Sequence, residues 1–173
     1  MKKILSLILL CSTMLLSGCG FSVKYSFSGA SIPTDAKTYS VAYFPNNATM
    51  VATILSSTFT EALKDAFSRK TRLSEVDSGG DFAFEGEITN YTSTTSSVAA
   101  GAENDYGTLN RLTITVRVRF TNAIDEAGSF NKSFSAFSDY DSSSLLTEVE
   151  GELIPEIVSD IVDDIFQAAA SNW

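Results

Sequence analysis

Two groups of residues in this sequence have types and spacing that could do chemistry. The first is Cys19, which closes the run Leu16-Ser17-Gly18-Cys19. Small residues at 17 and 18 let an extended chain enter a peptidase cleft, and a thiol at 19 can accept diacylglycerol before cleavage on its amino-terminal side. The second is Arg111, Arg117 and Arg119, three arginines of one parity in a short alternating stretch. Guanidinium groups present donors in a planar fork that matches phosphate or carboxylate oxygens. A solvated strand face, its arginines paired with nearby Asp and Glu, accounts for the same residues and is the first reading of them.

The rest of the composition closes off much else. The 173 residues contain no histidine, which excludes Ser-His-Asp and Cys-His catalysis, histidine zinc sites and histidine-ligated haem. Cys11 lies inside the apolar leader, so the exported chain keeps only Cys19, and no disulfide can form within it. There is no P-loop and no GxGxxG. With 12 Lys+Arg against 21 Asp+Glu the net charge is −9, unsuited to nucleic acid. Neither a metal nor a cofactor is expected.

Met1-Lys2-Lys3 and the apolar run from Ile4 to Leu16 form a basic n-region and a short h-region. That run is shorter than the roughly 20 residues a spanning helix needs. Residues 1–18 are therefore expected to be a lipoprotein signal peptide that is removed. Taking 18 of 173 residues leaves 155 and, with Lys2 and Lys3 gone, moves the charge from −9 to −11. Residues 19–173 suit one domain stabilised by a packed core and anchored through Cys19.

The elements that position the arginines follow from periodicity. Phe21 to Phe27 alternates as a strand or extended segment, and Tyr39 to Phe44 reads as a short strand stopped by Pro45-Asn46-Asn47. Val51, Ile54, Leu55, Phe59, Ala62, Leu63, Ala66 and Phe67 recur at helical spacing, which predicts an amphipathic helix over 50–69. Thr71 to Val76 is a brief strand. Phe82 to Tyr91 is a longer one whose continuation, rich in Ser and Thr, frays into a loop over 99–107. Leu109 to Thr121 alternates most cleanly, with Leu112, Ile114, Val116, Val118 and Phe120 opposite Arg111, Thr113, Thr115, Arg117 and Arg119. Ser129 to Phe137 is its hairpin partner. A final helical stripe, Leu146 through Ala169, contains Pro155, which predicts a kink or break near Glu152 to Ile154. The expected fold is α+β: a single-domain two-layer sandwich, two helices packed on a mostly antiparallel sheet of about four strands.

Tyr25-Ser-Phe-Ser-Gly-Ala-Ser-Ile-Pro33, Tyr43-Phe-Pro-Asn46, Phe59-Thr-Glu-Ala-Leu63, Gly80-Asp-Phe-Ala-Phe-Glu-Gly-Glu-Ile88, Asn110-Arg-Leu-Thr-Ile-Thr-Val116, Asp164-Ile-Phe166 and Asn172-Trp173 occur in this order along nearly the whole exported chain. In that order and spacing the sequence resembles the lipopolysaccharide-assembly lipoproteins, the LptE family. The resemblance implies a non-enzymatic protein of the outer membrane that plugs and scaffolds a large β-barrel translocon (LptD-like) and assists lipopolysaccharide assembly into the outer leaflet. It implies lipopolysaccharide and the barrel as partners, besides the membrane held through the N-terminal acyl chains. Pro155 departs from the uninterrupted second helix expected of relatives. Cargo-contact residues of relatives do not map onto a motif here. Gly20 in place of Asp, and no acidic cluster in Gly20 to Lys24, point to the periplasmic side of the outer membrane.

Three other patterns have plainer readings. Asp139, Asp141, Ser143 and Glu150 approach a calcium-loop spacing, but Ser144 stands where the loop needs glycine, and a turn before a helix explains them. Phe21, Tyr25, Phe27, Phe82, Phe84, Phe120, Phe130 and Phe134 could line an aromatic groove, which would make the protein a lipid-anchored module for a small amphiphile. Alternating aromatics on strands are first of all core. Asp160, Asp163 and Asp164 read as a solvated helix face.

Overall fold

A computed structural model describes residues 32–97 and 108–170. Strand β1 (Thr38–Val41) is followed by helix α1 (Leu55–Lys70) and the two-residue strand β2 (Ser74–Glu75). Then come β3 (Phe82–Ser97), β4 (Thr108–Asn122), a 3-10 turn (Glu126–Gly128), β5 (Phe130–Asp141) and helix α2 (Leu146–Ala170). The sheet order is β2-β1-β3-β4-β5. β1 pairs in parallel with β2 and β3, while β3, β4 and β5 form an antiparallel meander. The fold is thus α+β with two helices on one sheet, as expected, and five strands instead of about four.

β4 shows why the sheet has two unlike faces. Leu112, Ile114, Val116, Val118 and Phe120 are all buried under the helices, and side chains two apart on a strand share a face. Opposite them α1 contributes Phe59, Leu63 and Phe67, and α2 contributes Ile154, Ile157, Ile161 and Ile165, all fully buried. Phe67 joins the layers: its ring centroid lies 4.6 Å from that of Phe84 on β3 and 5.1 Å from that of Phe166 on α2. Each such side chain contributes about 1.5–3 kcal/mol through burial.

Several boundaries differ from the sequence expectations, each for a local reason. α1 starts at Leu55, not near 50, because Met50, Val51 and Ile54 are exposed and residues 48–54 wind irregularly into it. β1 ends at Val41. Residues 42–47 nevertheless stay bonded to β3, with the Ala42 and Asn47 amides donating to the Phe84 and Ile88 carbonyls. β3 does run on past Tyr91 as a Ser/Thr-rich strand end, to Ser97, because β4 supplies partners as far as the pair Ser97–Thr108. The loop expected over 99–107, and the segment Phe21 to Phe27, lie outside the described residues.

Pro155 does not break α2, which is continuous from Leu146 to Ala170. A proline removes one backbone bond. The buried stripe on both sides, Leu153 and Ile154 before it and Ile157 and Val158 after it, holds the helix against the sheet.

One β-bulge shifts the register of β3 between Ile88 and Asn90. Before it Phe82, Phe84 and Ile88 face the helices; after it Tyr91 does. The extra residue is Thr89, so even positions point inward on one side of it and odd positions on the other.

Candidate functional site: the open face of the sheet

The strand alternation that buries Leu112 to Phe120 turns Arg111, Arg117 and Arg119 onto the face away from the helices, as their parity predicts. The hairpin register then places a specific neighbour beside each. Arg111 lies opposite Asp139 on β5, Arg117 opposite Glu87 on β3, and Arg119 opposite Glu85 on β3.

The three pairings are unequal. Arg111 makes a two-pronged contact, Nε donating to Asp139 Oδ1 at 2.7 Å and Nη2 to Oδ2 at 2.8 Å. Its guanidinium also sits 3.7 Å from the centroid of the Phe137 ring. The Arg111 hydrogen bonds hold the Asp139 carboxyl below its ordinary range, and Asp139 in turn raises Arg111. Arg117 Nη1 donates to Glu87 Oε1 at 2.9 Å, and Glu87 accepts a second bond from Asn47 Nδ2 at 2.6 Å. Arg119 stands 3.8 Å from Glu85, a charge contact without a hydrogen bond.

Arg117 and Arg119 are also set apart by shape. They line a groove of about 320 Å³ together with Pro45, Glu85, Glu87 and Asn131. Gly86 also lines it through its backbone; on the helix side a Cβ there would come 2.0 Å from the Arg117 carbonyl oxygen and 2.6 Å from the buried Phe44 ring, so β3 and β4 approach closely at this point. Arg111 does not line this groove. The structure therefore divides the predicted row into one arginine already engaged by Asp139 and Phe137 and two that border an open groove.

Glu85, Glu87, Asn131 and Asp139 also belong to this site, and the sequence alone does not single them out as part of it. Glu85 and Glu87 carry a signal, since they alternate with the buried Phe82 and Phe84. Knowing which arginine each one meets requires the hairpin register.

The other candidates resolve plainly. Both Asp139 oxygens are taken by Arg111, and Asp141 Oδ1 accepts from the Ser143 amide and hydroxyl, which makes this stretch a turn leading into α2. Phe82, Phe84 and Phe120 are stacked inside the core, Phe84 on Phe120 at 4.8 Å, so they line no groove. Phe130 and Phe134 pack beside them, half-buried. Phe21, Tyr25 and Phe27, like Cys19, lie outside the described residues. Asp163 pairs with Lys70 at 2.5 Å on the solvent side of the helices.

The fold resembles solved structures at low identity. A minor lipoprotein of Acinetobacter baumannii is 14% identical, with a TM-score of 0.50 over 79% of this chain and 94% of that one. A hypothetical protein of Chlamydia trachomatis is 11% identical, with a TM-score of 0.52 over 79% of this chain and 99% of that one. At these identities the likeness speaks for the fold alone. A search of curated proteins finds no match. The family model for lipopolysaccharide assembly, LptE, matches residues 36–169, which takes in every strand and all of both helices but the last residue of α2. The chain belongs to the LptE lipopolysaccharide-assembly family.

Proposed function

We propose that this protein is an outer-membrane lipoprotein, held on the periplasmic side by an acylated Cys19, that plugs and scaffolds a large LptD-like β-barrel and assists lipopolysaccharide assembly into the outer leaflet. The observation that carries the reading is the family match across residues 36–169. The architecture supports it. Both helices are spent on covering one sheet face, and among the described residues no element covers the other, with its arginines, which can meet a partner. No helix among the described residues is long and apolar enough to cross a membrane, which suits attachment through acyl chains. The role needs no catalytic group: the domain works by occupying a lumen and by charge contacts through Arg111, Arg117 and Arg119, made to lipopolysaccharide phosphates or to acidic barrel side chains.

Three measurements test it. Detergent extracts pulled on this protein should contain a large β-barrel protein; repeated extracts without one overturn the plug role. Cys19→Ala should stop fatty-acid labelling and release the protein from the lipoprotein pathway. Arg117→Glu with Arg119→Glu should leave folding intact, weaken lipopolysaccharide binding, and do so more at low salt than at high.

A further inference from the structure

The groove on the open face carries both signs of charge in a regular pattern. Glu85 and Glu87 stand on β3, and directly across from them Arg119 and Arg117 stand on β4. Adjacent strands lie about 4.8 Å apart, and residues two apart on a strand about 6.7 Å. Acids thus form one row and guanidinium groups a parallel row. Asn131 and Pro45 complete the lining.

A bare anion seated here would meet two carboxylates as closely as two arginines. A molecule whose anionic and cationic groups are one strand spacing apart would meet opposite charge on each side. We propose that the groove binds a phosphate ester bearing a primary ammonium, the headgroup of an ethanolamine phospholipid, with its phosphate over Arg117 and Arg119 and its ammonium over Glu85 and Glu87.

The open pair is Glu85 and Arg119. At 3.8 Å it is neutralised without being hydrogen-bonded, so a headgroup can supply both partners without breaking a bond. The side-chain amide of Asn131 offers the phosphate a further donor. A primary ammonium is selected over a quaternary one, because carboxylates accept its N–H bonds and no aromatic ring among the described residues lines the groove. Pro45 puts an apolar ring in the groove wall, and Tyr43, two residues before it in the chain, is exposed; that apolar surface favours the lipid over a free zwitterion.

This inference goes beyond the assembly role and stands without it. Native mass spectrometry of the full exported chain released from detergent, with phosphatidylethanolamine, phosphatidylcholine or phosphatidylglycerol added, tests it. Phosphatidylethanolamine should be retained about tenfold more than either of the others, since each of those leaves the glutamate carboxylates facing an anion or without N–H donors to accept from. Glu85→Gln with Glu87→Gln should lower ethanolamine-lipid retention and raise that of phosphatidylglycerol. Arg117→Gln with Arg119→Gln should lower both. Melting curves check that each variant folds.

Equal retention of phosphatidylglycerol, or indifference to the glutamate variant, overturns the proposal. So does soluble glycerophosphoethanolamine binding as tightly as the lipid, which would make the ligand a free zwitterion. Lipopolysaccharide, an anion, should bind the glutamate variant at least as well as the parent chain. Loss of its response to Arg117→Glu with Arg119→Glu would overturn the cargo role alone.

Discussion

Gly151 lies one turn ahead of Pro155 in α2, and its carbonyl is the one whose N–H partner the proline removes. Both residues are exposed, and nothing lies within 4 Å of where a Cβ on Gly151 would be. Water therefore reaches the orphaned carbonyl. Pro155→Ala should restore the bond without losing buried surface and stabilise the domain by about 1–3 kcal/mol. An unchanged or lower urea midpoint would show that the proline does some other service.

Gly86 should tolerate nothing larger. A methyl group there meets the Arg117 carbonyl and the Phe44 ring, one of them backbone that cannot swing away. Gly86→Ala is expected to cost about 1–3 kcal/mol in thermal unfolding and to displace β4 at Arg117. A variant that melts like the parent chain would contradict the close approach of β3 and β4 at this point.

Asp81 fastens β1 to β3. Its Oδ2 accepts from the Lys37 amide at 2.8 Å, the Thr38 amide at 2.9 Å and the Thr38 hydroxyl at 3.0 Å. These bonds, the Lys37 amide's first, hold its carboxyl below the usual carboxylate range. Stabilisation from a lowered carboxylate is complete above the unfolded value of about 3.9 and fades as pH falls through the lower folded value. Asp81→Asn should therefore melt below the parent chain at pH 7, with the gap closing below about pH 4. A gap that persists at pH 2 would mean the loss comes from shape, not charge.

Much of this fold could be read from residue order because single elements bury one face. The period-2 run Leu112 to Phe120 and the period-3.6 runs in α1 and α2 announce themselves. The extension of β3 to Ser97 agrees with the Ser/Thr-rich strand end read from the sequence, but alternation does not announce it. Thr92 to Ser97 has little apolar contrast, and the strand exists because β4 provides bonding partners. The bulge at Thr89 is equally silent, since the alternation on either side of it looks locally sound. At the site, the arginines were legible by parity. Their sorting into Arg111 on one hand and Arg117 with Arg119 on the other depends on Asp139 and Phe137, and those come from a different strand whose register only pairing reveals.

The position of β5 bears on self-association. Its outer edge, Phe130 to Asp141, has no neighbouring strand among the described residues, and such an edge is a template for any stray strand. Lys132 shares the inward parity of Phe130 and Phe134, yet it stays exposed, with its ammonium 5.2 Å from the Phe130 ring centroid. A strand docking on this edge would have to bury that charge beside its own inward side chains. Lys132→Val should thus leave the melting temperature nearly unchanged while raising light scattering on prolonged incubation; equal scattering from both chains would show that the edge is protected some other way. One lysine, placed where the sheet would otherwise accept another chain, sets a charge against strand addition at an edge that is bare among the described residues.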